Sequence, residues 1–216
     1  MIAEPDVALT DYALVVETFL FGWWMYRSTS FSPLKVWFVV LFWSIAVAAL
    51  VGGTVHGFFP DPRSLMARMF WLTTMIFLGL TALAEYGIAA HLLLTSRRAN
   101  IFILAAGLIF GIYVAIVLFW NGTFRIAVVD YVGGLILLLI GFASVYSRDR
   151  NRAALVGIAG LVLTFAASTV QQARISINPH FFNHNAFYHL LEGIALFFVY
   201  RAGQSLVRTL TPPENK

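Results

Sequence analysis

The chain has no cysteine. That removes disulfides, thiolate metal sites, thioether-linked haem and cysteine nucleophiles from consideration. Lysine is nearly absent too, standing only at Lys35 and Lys216. Neither lies inside the last hydrophobic stretch, so a retinal Schiff base of the seven-helix photoreceptor kind has no residue to form on. No glycine-rich loop ends in Lys-Ser or Lys-Thr, which excludes a Walker-type nucleotide site. Charge is scarce altogether: 11% of the 216 residues are Asp, Glu, Lys or Arg, against roughly 25% in a soluble domain.

What fills the chain instead is hydrocarbon, 60% by residue count. A membrane span needs about 20 mostly apolar residues, and seven stretches qualify, at about 8–27, 35–58, 68–94, 101–120, 126–146, 153–173 and 185–207. They are separated by "RSTSFSP", "FFPDPRS", "TSRRAN", "NGTF", "SRDRNR" and "ISINPHFFN", each holding the Pro, Gly, Asn, Ser or paired charges that interrupt helices. The expected fold is all-α, one seven-helix transmembrane bundle over residues 1–216, integral to either a bacterial-type inner membrane or a eukaryotic endomembrane. The acidic start "MIAEPD" lacks the basic region of a cleavable signal and is read as lying outside. The loops and tail then predicted to be cytoplasmic carry Arg27, Lys35, Arg97, Arg98, Arg148, Arg150, Arg152, Arg201, Arg208 and Lys216, against Arg63, Arg68, Arg125 and Arg174 on the other side. That bias is the positive-inside pattern, and it explains the net charge of +4 without nucleic acid. "GLIFG" at 107–111 and Gly133-Gly134 are small-residue seams suited to close helix packing.

Ionisable side chains inside a bilayer are costly and mark function. In this topology the polar groups gather toward the outer third: His56 at the end of helix 2, Asp130 near the start of helix 5, Gln171 and Gln172 at the end of helix 6, and Asp11 and Glu17 on helix 1. The densest run opens helix 7, "NPHFFNHNAFYHLLEGIALFFVYRAG" at 178–203, where His180, His184 and His189 precede Glu192. At 3.6 residues per turn, Asn185, His189 and Glu192 share one face, while His180 and His184 share another if Asn178-Pro179 starts the helix as cap and first residue. Asp11 reads as a cap of helix 1 together with Thr10. His91 reads as an interfacial structural residue, and Glu85 as a carboxylate that must be protonated or paired.

Imidazole and carboxylate are the ligands left to zinc when cysteine is absent, and a zinc-bound water becomes a nucleophile near neutral pH. His56 and His189 lie at equal depth and form the natural pair, with His184 or Asp130 to complete the site. Glu17, Glu192 and Asp130 are the candidate catalytic or orienting carboxylates.

The outward N-terminus, the His ending helix 2 and "HNAFYHLLEGIAL" opening helix 7 resemble the CREST superfamily, which includes alkaline ceramidases and the progestin and adiponectin receptors. The resemblance implies zinc held by one His of helix 2 and two of an HxxxH motif in helix 7. His56 and His189 match two of these; the third position falls on Asn185, with His184 displaced by one. Gly52 stands where the family has Ser, and "SLMARMFWLTTM" lacks its helix 3 Asp. What the resemblance implies is a zinc-dependent hydrolase of a lipid amide or ester near the outer leaflet. Two other readings stay open. One is a non-enzymatic membrane protein binding a lipid, a membrane-embedded partner or a second copy of itself, through a polar network or ligand pocket. The other is a redox protein whose His56 and His189 ligate haem.

Overall fold

The computed structural model describes residues 2–28, 31–120 and 122–210. Lys216, counted above with the basic side, and Thr29, Ser30 and Asn121 of the loops lie outside the described residues. The chain forms seven helices: α1 (Pro5–Arg27), α2 (Pro33–Phe58), α3 (Leu65–Leu93), α4 (Ser96–Phe119), α5 (Phe124–Asp149), α6 (Arg152–Gln172) and α7 (His184–Leu210). Local chemistry sets the starts. Pro5 and Pro33 occupy the first helical position, where the missing N–H costs nothing. Ser32, Ser64 and Asn151 accept hydrogen bonds from the free N–H groups of Lys35, Ala67 and Ala153.

Six of the helices, α2 to α7, are long and apolar enough to cross a membrane, so the chain is a helical multi-pass membrane protein. Seven spans were expected. The exception is α1, whose Asp11 and Glu17 lower its hydropathy, although it packs on α2 and α7.

Helix contacts run α1–α2–α3–α5–α6–α7 and close back on α1. These six helices form a ring. α4 stands outside it against α3, with only Ala99, Ala106, Tyr113 and Val117 buried. Short loops make successive helices antiparallel, so the starts of α1, α3, α5 and α7 and the ends of α2, α4 and α6 share one rim. Hydrogen bonds tie that rim together: Ala3 N to Gly57 O, Trp71 Nε1 to Gly122 O and Asn183 N to Asp6 Oδ2. The arginine-rich segments occupy the opposite rim. Near it the ring is filled solidly, with Phe21 stacked on Tyr200 at 4.4 Å and Phe42 set edge-on to both.

The segment before α7 departs from expectation. Asn178 does not cap a helix; its Oδ1 accepts from the N–H of His180 and Phe181, and its backbone pairs with Phe182. Proline at 179 therefore sits in a turn. The cap of α7 is Asn183, whose Oδ1 accepts from Asn185 N at 2.8 Å and Ala186 N at 3.1 Å.

Candidate functional site

Within the ring, open toward the tied rim, lies a cavity of about 340 Å³ walled by all six ring helices and by no residue of α4. Its lining runs from His56 to Ile45 on α2, twelve residues, or roughly 16 Å at helical rise. The deep wall is mostly apolar, Leu14, Ile45, Ala48, Ala49 and Leu78 beside Thr81, with Trp71 and Phe124 higher up. Acidic and imidazole groups line it from three helices, and Thr74, Tyr131 and Gln171 add polar groups from α3, α5 and α6. α1 supplies Asp11, α2 His56, and α7 the face Asn185, His189 and Glu192.

Asp11 is placed by close helix packing. Its Cβ lies 2.7 Å from where a Cβ on Gly53 would stand, so α1 reaches α2 only because residue 53 has no side chain. Asp11 is not a cap: the helix begins at Pro5, and Asp11 sits in the second turn, 5% exposed. One of its oxygens, Oδ1, is 3.4 Å from His189 Nε2; the other, Oδ2, has no hydrogen-bond donor among the described residues.

On its other side the His189 ring meets α1 again: Nδ1 lies 3.1 Å from Thr10 Oγ1, a hydroxyl that is also 2.9 Å from the carbonyls of Asp6 and Val7. The tautomer decides which ring nitrogen donates; with the proton on Nε2, the ring donates to Asp11 Oδ1 and accepts from Thr10.

Deeper by one turn, Glu192 accepts from the Tyr131 hydroxyl at 3.2 Å through Oε1, and Thr164 of α6 reaches the same carboxylate. Its Oε2 is buried without a donor among the described residues. At the rim, His56 Nδ1 stands 3.1 Å from Glu4 Oε2, and Gln171 Nε2 donates to Asn185 Oδ1 at 3.4 Å.

The residues singled out in the sequence therefore divide. His56, His189 and Glu192 line the cavity; His184, Glu17 and Asp130 do not. His184 is the first residue of α7 and half-buried, and His180 is exposed in the preceding turn. Glu17 lines a separate groove between α1 and α7. Asp130 faces a groove between α4 and α5, where its backbone carbonyl accepts from Tyr86. Glu85 of α3 is buried elsewhere, against Gly134 of α5, with no hydrogen-bond partner for Oε2 among the described residues, and His91 is half-buried beyond it. Asp11 and Thr10 are what sequence reasoning missed as site residues.

The same geometry tests the fit of a metal. Two ligands on one tetrahedral zinc stand about 3.4 Å apart, which is the His189–Asp11 separation. A third is not in place: among the described residues no three His, Asp or Glu side chains converge enough to hold an ion.

The chain belongs to DUF6962, a family of unknown function whose model matches residues 7–208. That stretch contains every residue lining the cavity. No curated protein matches the chain.

Proposed function

We propose that this membrane protein binds a single-chain, lipid-like amphiphile in the ring cavity, hydrocarbon against the Ile45–Leu78 wall and polar head among Asp11, His189 and Glu192. One observation carries the reading: a largely apolar space of about 340 Å³ is lined on one part of its wall by His189 and the buried Asp11 and Glu192. Binding sites for small molecules have this character, largely apolar with a few convergent polar groups, and the volume lies within their usual range.

Gly52 gives the test. It lines the cavity, and a Cβ there would meet nothing closer than Thr74 Cγ2 at 3.7 Å, so Gly52→Phe fills the space without forcing the helices apart at its first carbon. Purified protein in phosphatidylcholine nanodiscs is expected to unfold at a higher temperature with dodecanol or dodecylamine added, and Gly52→Phe to lose that response. A wild type indifferent to every such amphiphile, or a filled variant that responds equally, would refute the reading.

Zinc-dependent hydrolysis of a lipid amide or ester remains the second reading, supported by the resemblance to the CREST superfamily and by the 3.4 Å His189–Asp11 separation. It requires about one zinc per chain in protein purified without chelators, lost in both His189→Ala and Asp11→Ala. Mass spectrometry finding no zinc in the wild type removes it. The absorbance spectrum of the same preparation tests the haem alternative, which demands a Soret band.

A further inference from the structure

We infer that the cavity is a ruler for its amphiphile, taking one hydrocarbon tail of about nine to twelve carbons and rejecting the longer tails of bulk membrane lipid. The inference rests on the amphiphile reading above and gives it a tail length.

Two antiparallel helices measure the space independently. The lining runs from His56 to Ile45 on α2 and from Trp71 to Thr81 on α3, which at helical rise is roughly 16 Å and 15 Å. Spread over the longer of these, a volume of about 340 Å³ leaves a mean cross-section of roughly 21 Å². Carbon atoms in contact stand about 4 Å apart, so that section passes one hydrocarbon tail and not two. The space has a cause in the sequence, because α2 lines it with Ala48, Ala49 and Gly52.

The floor is closed. Ser44 and Thr81, both buried, join α2 to α3 hydroxyl to hydroxyl at 2.9 Å. Each also lies 2.9 Å from a carbonyl of its own helix, Leu41 and Phe77, so neither has a use for a head group. Beyond this tie, Phe38 and Phe42 on α2 and Ala84 and Ile88 on α3 are fully buried. A packed interior of this kind admits no extra methylene without strain.

The polar side chains set the other end. Asp11 packs against Gly53, eight positions along α2 from Ile45, or roughly 12 Å. An extended tail advances about 1.3 Å per carbon. About nine carbons therefore reach the floor from the level of Asp11, and about twelve from that of His56. A shorter tail leaves a void whose walls lose their contacts. A longer one lifts its head group past His56 and away from Asp11 and His189. Entry from the bilayer brings no compensating gain per carbon, since lipid tails are themselves apolar. The preference is therefore peaked.

The test is thermal unfolding in phosphatidylcholine nanodiscs with octanol, decanol, dodecanol, tetradecanol and octadecanol, each at the same mole fraction in the lipid. In the wild type decanol or dodecanol is expected to act most strongly. Octadecanol should need about tenfold more, the ratio that losing one hydrogen bond to a charged group produces. Ile45→Ala deepens the floor and should move the optimum to longer tails; Ala49→Leu narrows the lower part and should move it to shorter ones. General destabilisation does not shift an optimum in opposite directions. Should one variant fail to fold, the wild-type series and the other decide. An optimum at any other length, a response equal across the series, or an optimum unmoved by either substitution overturns the ruler. The cavity reading then stands as long as Gly52→Phe abolishes the response. No response at any length overturns both.

Discussion

Adjacent glycines on α2 face opposite circumstances. A Cβ on Gly53 would lie 2.7 Å from Asp11 Cβ, inside any tolerable contact, while one on Gly52 would have 3.7 Å of clearance into the cavity. Gly53→Ala must push α1 away from α2, and such overpacking costs about 1–3 kcal/mol. Gly52→Ala should be neutral or stabilising by up to about 1 kcal/mol, because alanine is the better helix former. Thermal unfolding of the two variants side by side is expected to show a clear loss for residue 53 and none for residue 52. The same contact shows why Asp11 was not legible as a site residue. An acid near a helix start reads as a cap, and nothing in the local sequence says that a glycine forty-two positions away lets Asp11 reach the interior. His189 and Glu192 were legible because the signal was local: their shared face with Asn185 follows from helical periodicity alone.

At the level of the element, depth along a helix was readable and direction around it was not. Each expected span corresponds to an observed helix, with ends displaced by a few residues where caps extend it. Asp130 stands at the depth expected but faces the α4–α5 groove, because α4 lies outside the ring and α5 turns part of its surface toward it. The order of helices in the ring is a tertiary fact that hydropathy does not encode. The "GLIFG" seam makes the same point: Cβ atoms on Gly107 and Gly111 would meet nothing within 4 Å, so its glycines face no neighbour within the described chain. The entrance of α7 carries the corresponding prediction. Asn183 caps two N–H groups with its side chain and ties α7 to α1 through its own N–H to Asp6. Asn183→Ala removes the cap and should cost about 1 kcal/mol, whereas Asn183→Ser keeps an acceptor and should cost less. Since this turn positions Asn185 and His189, the amphiphile response in nanodiscs should weaken in step with stability across the pair.

For the whole molecule the open quantity is which rim faces the cytoplasm, and the two rims differ enough in charge to argue it. Arg97 and Arg98 at the start of α4, Arg148 and Arg150 at the end of α5, and Arg152 opening α6 lie together on the rim opposite the cavity mouth. Loops rich in arginine close to span ends are retained on the cytoplasmic side, so the cavity is expected to open away from the cytoplasm. The absence of cysteine makes this directly measurable, because an introduced thiol is the only one in the chain. Arg63→Cys places it in the α2–α3 loop on the cavity rim, at a fully solvent-facing ion pair with Asp61 whose loss is worth little. Arg98→Cys places it on the other rim. In intact cells a membrane-impermeant maleimide should label residue 63 and spare residue 98 until the membrane is permeabilised. The reverse pattern would put the cavity mouth on the cytoplasmic side, and an amphiphile would then reach the Asp11–His189–Glu192 group from the inner leaflet.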